Sequence, residues 1–292
     1  LTRSLRRRLC LGVAALGAAL LLVGCALVPS AAERRASADA FAAARGWREL
    51  TLRAGAFELA AWEPAPAPRA DLLWVYIEGD GLAWLAPDQA STDPTPVHPL
   101  ALQLALAQPE GAVAYLARPG QFVGAADCDM RYWTSARFAP EVVDALSDAL
   151  DQLERRSGAR RLVLVGYSGG GALAALLAER RADVRALVSV AGNLDPGAWV
   201  ALHGLTPLDA SLDPLQAPGR LRELPQWHFV GAQDANVTPA LVRGFAARMA
   251  RARVEVVPGF DHACCWAAQW SRLWLHLGSQ FGPGIDPAGR GG

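Results

Sequence analysis

The chain has 292 residues, 52% of them hydrophobic and 19% charged, and its 28 basic residues, all arginine, balance 28 Asp and Glu. That is enough apolar material for one large domain or two small ones, and it excludes a disordered chain and a nucleic-acid binder that relies on cationic excess. Five cysteines without a C-x-x-C pair exclude a structural zinc framework or a disulfide-stapled miniprotein.

Residues 3–8 carry four arginines, and residues 9–23 form an uncharged apolar run. This is the layout of a secretory signal peptide, and the run is short for a spanning helix, which needs roughly 20 residues. Leu22-Val23-Gly24-Cys25 at its end resembles the bacterial lipobox, which implies removal of residues 1–24 and acylation of Cys25. Ala26 in place of an acidic residue resembles the sorting pattern for the outer membrane, so the expected location is the envelope, anchored by lipid and facing the periplasm. Residues 25–45 read as a tether or a short surface helix, 46–281 as one domain, and 282–292 as a loose tail.

Within 46–281, short β-rich runs alternate with helical stretches, which predicts a mostly parallel sheet covered on both faces. Runs 50–53 and 57–62 predict an antiparallel hairpin, and the Pro64, Pro66 and Pro68 segment must be a connection. Further strands are expected at 72–77, 112–116, 161–165, 184–190, 226–230 and 254–257, eight in all with the hairpin. Apolar spacing of three and four predicts helices over 140–156, 169–181, 239–252 and 265–277.

Gly166-Tyr167-Ser168-Gly169-Gly170 is a G-x-S-x-G sequence between a buried strand and a helix. A sharp strand-to-helix turn would expose Ser168, and the small residues around it let the chain pass. The free N–H of Gly169 at the helix start is a natural donor to a developing oxyanion. A serine nucleophile needs a base, and the base needs an orienting acid. Of the five histidines, His262 follows a strand end, whereas His228 lies within a strand, His98 and His203 lie in loops without a strand ahead of them, and His276 lies on the last helix. Asp234 follows the preceding strand, with Asp195 as a rival acid one strand earlier, and Asp261 reads as solvated or capping.

The order Ser168, Asp234, His262, each after a successive strand, resembles the α/β-hydrolase superfamily. The resemblance covers roughly residues 50–280 and implies an eight-stranded α/β-hydrolase fold and a serine hydrolase with no metal or organic cofactor. Its second oxyanion donor would be the Asp80 N–H, in Glu78-Gly79-Asp80-Gly81, where relatives often have His-Gly. A carboxylate there opposes catalysis unless turned away or paired, and Arg118 is the expected partner of Asp80 or Glu78, solvation being the alternative. Prolines 196, 207, 214, 218 and 225 leave no room for a large lid. Trp84, Trp133, Trp199 and Trp266 are candidates for a substrate pocket or for core. Cys128 pairs with Cys264 or Cys265, or all three are free thiols.

The expected function is a lipid-anchored esterase-like serine hydrolase acting on a small or lipid-like ester, with no nucleic-acid partner. The alternative is a catalytically silent hydrolase-like envelope lipoprotein that binds a ligand or partner.

Overall fold

The computed structural model of the chain describes residues 28–125 and 128–278. The signal segment, Cys25 and the tail at 282–292 lie outside the described residues. Helix α1 (Ala31–Ala43) precedes a hairpin of β1 (Trp47–Ala54) and β2 (Phe57–Pro64), which turns at Gly55 with φ of 56°. Strand β3 (Leu72–Ile77) leads to a small hairpin of β4 (Trp84–Ala86) and β5 (Gln89–Ala90), then to α2 (Leu100–Ala107) and β6 (Ala112–Leu116). Next come α3 (Pro140–Ser157), β7 (Arg161–Tyr167), α4 (Gly169–Arg180), β8 (Val184–Val190) and α5 (Pro196–His203). The chain continues through β9 (Gln226–Gly231), α6 (Pro239–Ala246), β10 (Ala252–Val257) and α7 (Trp266–Gly278).

Eight strands form one sheet in the order β1-β2-β6-β3-β7-β8-β9-β10, with β2 antiparallel to both neighbours and the rest parallel. Period-two alternation sorts the core into two layers. Leu73, Val75 and Ile77 of β3 face a cluster with α3, α4 and α6, while Leu72, Trp74 and Tyr76 face one with α1, α2 and α7. Each predicted strand is present, several a few residues longer.

Four differences from the sequence reading have physical causes. The compact unit starts at Ala31 and not at 46, because Ala38 and Ala42 of α1 are buried and Arg34 and Arg35 pair with Asp93 and Glu49. Helix α2 shows no helical periodicity because LALQLALA has a single polar residue, Gln103, as suits a helix packed between the sheet and α7. Helix α5 starts at Pro196, a residue read as a breaker, because proline at the first helical position loses no hydrogen bond. Helix α6 stops at Ala246 and not at 252, since Ala252 is already paired with Gln226 in the sheet. The β4–β5 hairpin was not foreseen. Between Asn193 and Gln226 only α5 and turns are present, so there is no large lid. Among the described residues no helix is long and apolar enough to cross a membrane.

Candidate active site

Strand β7 ends at Tyr167 and α4 begins at Gly169, so Ser168 must reverse the chain in a single residue. Its φ of 49° and ψ of −122° lie outside the usual regions for a side-chain-bearing residue. The surroundings hold it there: Ser168 N–H donates to Val190 O at 3.1 Å, and Ser168 O accepts from Asn193 N at 2.8 Å and Gly171 N at 2.9 Å. Glycine is required beside it, for a Cβ on Gly166 would lie 2.3 Å from Gly170 O, and one on Gly170 would lie 2.4 Å from Ile77 O.

His262 sits in the loop after β10, its carbonyl accepting from Trp266 Nε1 at 3.2 Å and Tyr167 Oη at 3.3 Å. Its Nε2 is 3.0 Å from Ser168 Oγ and its Nδ1 is 2.9 Å from Asp234 Oδ2. A carboxylate only accepts, so Nδ1 carries the hydrogen and Nε2 is left to accept the serine proton. Asp234 has a fully buried side chain, and its other oxygen accepts from Asn236 N at 2.9 Å and Val237 N at 2.8 Å. The carboxylate is thereby fixed in one orientation. Asp195 is elsewhere: it caps α5 by accepting from Ala198 N at 2.9 Å. Asp261 accepts from Ala263 and Cys264 N–H groups, which hold its carboxyl below the usual range.

This arrangement, on a sheet of this order, decides the architecture. The chain has the α/β-hydrolase fold. A family model of the α/β-hydrolase fold matches residues 115–229. Among solved structures, the chain is similar to the Pyrococcus furiosus esterase Pf2001, with 12% identity, 81% of this chain and 93% of that one covered, and a TM-score of 0.57. It is likewise similar to the esterase domain of a Rhodothermus marinus protein, with 14% identity, 80% and 96% covered, and a TM-score of 0.54. Est1E from Butyrivibrio proteoclasticus shares 14% identity over 79% of this chain and 99% of its own, with a TM-score of 0.52. No curated protein matches the sequence.

In this α/β-hydrolase fold the turn that carries Ser168 faces the loop after β3. Asp80 and Ser168 line one cleft of about 350 Å³ together with His98, Asn236 and His262. The N–H groups of Asp80 and Gly169 donate to no protein acceptor among the described residues. Both carboxylates of the loop are dealt with. Glu78 is buried at the wall of the same cleft, with Oε1 accepting from Gly79 N at 2.9 Å and Oε2 from Tyr115 Oη at 3.1 Å. Burial pushes its carboxyl up to about 7 despite those bonds. Burial also acts to raise Asp80, but attraction and hydrogen bonds from Arg137 and Arg118 outweigh it and set the carboxyl at about 2. Arg118 donates to Asp80 Oδ1 and Arg137 to Oδ2 at 2.8 Å, so Arg118 pairs with Asp80 and a second arginine shares the task.

The structure thus brings Ser168, Asp234, His262, Gly169 and Asp80 to one edge of the sheet. Arg137 and Asn236 were missed. Trp199 Nε1–H donates to Asn236 Oδ1 at 3.0 Å, which turns the amide nitrogen toward His262 Nε2 at 3.2 Å. Asn236 stands two residues after Asp234, a position that marked it only once the acid was identified. Arg137 reaches in from the turn that precedes α3 and has no sequence signature. Of the four tryptophans, Trp133 and Trp266 are core, whereas Trp84 and Trp199 line a cavity beside the site. Cys264 and Cys265 are bonded to each other and Cys128 is a free thiol, so the pairing of Cys128 with either is corrected.

Proposed function

We propose that the chain is a serine hydrolase that cleaves a carboxylic ester through an acyl-enzyme on Ser168. The observation that carries this reading is the continuous Ser168–His262–Asp234 chain at 3.0 Å and 2.9 Å on a positive-φ elbow that opens into a cleft. His262 Nε2 takes the Ser168 proton as Oγ attacks the carbonyl carbon, and the carbonyl oxygen becomes an oxyanion that accepts from Gly169 and Asp80 N–H. The imidazolium then returns its proton to the leaving alcohol. Water, activated by the same nitrogen, attacks the acyl carbon and releases the acid, restoring Ser168. Ester and water become acid and alcohol, with no other reactant.

The alternative of a silent ligand-binding lipoprotein rests on the Glu78 and Asp80 carboxyls; against it, Arg118 and Arg137 neutralise Asp80, and Gly79 N–H and Tyr115 Oη–H hold Glu78. Hydrolysis of p-nitrophenyl butyrate by the wild type and its loss in Ser168→Ala, down to the roughly 10³-fold acceleration that oxyanion donors alone retain, is the test. Unchanged turnover in that variant sinks the assignment.

We propose further that Cys25 carries lipid and holds the protein at the envelope, by way of the basic and apolar segments at 3–23 and the Leu22–Cys25 sequence. A double acyl anchor gives stable attachment where a single chain is marginal. Palmitate incorporation should vanish in Cys25→Ser, and label that persists would refute it.

A further inference from the structure

A second cavity, of about 570 Å³, adjoins the cleft that holds Ser168 and His262. The two share Asp80 and Gly81 as a common wall. Its size is in the range of small-molecule sites. Trp84, Leu205, Leu208 and Trp199 supply apolar walls, with Arg137 and Asp80 at the polar end. Trp84 and Leu205 are 43% and 46% exposed, an unusual placement for large apolar side chains that come from β4 and from the turn after α5 and meet at one cavity. The cations at the polar end are engaged: Arg137 donates through Nη1 to Asp80 and through Nε to the Thr134 carbonyl, and Arg118 donates to Asp80 and to the Arg137 carbonyl.

Proton transfer assigns the two cavities. In a tetrahedral intermediate on Ser168, the leaving oxygen must face His262 Nε2, which hands it a proton, and the oxyanion must face the Asp80 and Gly169 N–H groups. The leaving group therefore extends into the smaller cleft, where His262, Val97 and His98 lie. The acyl substituent takes the remaining direction, past Asp80 and away from His262. The larger cavity borders Asp80 and lacks His262 among its walls.

We propose that this cavity is the acyl subsite and that it selects esters of uncharged, medium-length or aromatic apolar acids over acetyl esters. The proposal rests on the hydrolase reading above and names its substrate class. Each methylene buried against these walls is worth up to about fourfold in binding.

The test compares kcat/KM for p-nitrophenyl acetate and octanoate in the wild type, Trp84→Ala, Leu205→Ala and Leu275→Ala, the last truncating an exposed leucine on α7 that lines neither the cavity nor the cleft. Calorimetry with N-methyloctanamide, an uncharged and unhydrolysed acyl mimic, reads the cavity without turnover. The wild type should favour octanoate at least tenfold. Trp84→Ala should lower the octanoate-to-acetate ratio at least tenfold and Leu205→Ala about threefold, while Leu275→Ala leaves it alone. Trp84→Ala should also weaken the amide at least tenfold. Ester turnover that depends on Ser168 but shows a ratio insensitive to Trp84 overturns the subsite and spares the hydrolase reading. Amide binding that depends on Trp84 in a protein that hydrolyses no ester does the reverse.

Discussion

Two serine–histidine pairs occupy the same sheet. Ser168 and His262 lie 3.0 Å apart at its carboxyl edge, and Ser189 on β8 lies 2.9 Å from His228, its register partner on β9. Judged by distance alone the two are equivalent. They differ in the third partner, in access and in backbone. Nδ1 of His262 donates to the Asp234 carboxylate, whereas His228 Nε2 faces the neutral amide oxygen of Gln226 at 3.2 Å. Ser189 and His228 are wholly buried, and burial pushes the His228 imidazole down to about 3, so it does not take up a proton at working pH. Ser168 stands on a positive-φ elbow beside N–H groups open to an oxyanion, and Ser189 is an ordinary strand residue. A serine–histidine contact becomes a nucleophile only with a carboxylate, an oxyanion site and a path for substrate.

Replacing the third partner makes the pair at the sheet edge resemble the wholly buried one. Asp234→Asn should lower kcat by about 10⁴-fold, since the amide no longer holds the imidazole in the required tautomer. Asp195→Asn, which alters only a helix cap that asparagine also fills, should leave kcat within about twofold. Steady-state kinetics on both variants decides it, and a crippled Asp195→Asn would move the orienting acid one strand earlier.

Electrostatics at the oxyanion separate the two pairs next. Asp80 packs so close to Gly169 that a Cβ there would lie 2.3 Å from its Oδ1, and Arg118 and Arg137 share its charge. Removing Arg118 exposes part of that charge to the transition state, at a cost on the order of 1 kcal/mol or more and hence about tenfold in kcat, with KM changed less. Arg118→Ala with Asp80→Asn should recover much of the loss. A double variant as poor as the two single losses combined would show that the residues act independently.

The buried pair has its own signature, in stability and not in rate. Below the ordinary imidazole value of 6.5 the unfolded chain takes up a proton that folded His228 refuses down to about 3, so stability falls as pH drops through that window. The opposite sign applies to Glu78. Its folded carboxyl, at about 7 against 4.5, stays protonated where the unfolded one ionises, so its contribution is lost as pH rises from 4.5 to 7. Denaturant titrations across pH should show that His228→Gln flattens the acid side, and that Glu78→Gln gains up to about 3 kcal/mol relative to wild type near pH 8. A pH profile of stability unchanged by either substitution would contradict these environments.

The strands and the elements of the elbow were legible because each announces itself locally: a β-rich run, a turn and a change of period. Ser168, Asp234 and His262 could be placed together only because successive parallel strands bring their ends to one edge. What stayed hidden lacks such a pattern. Helix α2 has no polar face, α5 begins with a proline, and Arg137 enters from a segment that sequence alone assigns to no site. The vicinal bond between Cys264 and Cys265 matches neither expectation from the sequence, a pairing of Cys128 with one of them or three free thiols.

The central claim, that Ser168 and not Ser189 is the nucleophile, is tested most directly by treating the protein with a fluorophosphonate and locating the adduct by peptide mass spectrometry. The account predicts one phosphonylated site, on Ser168, with labelling lost in Ser168→Ala and retained in Ser189→Ala. An adduct on Ser189, or undiminished labelling of Ser168→Ala, would contradict it.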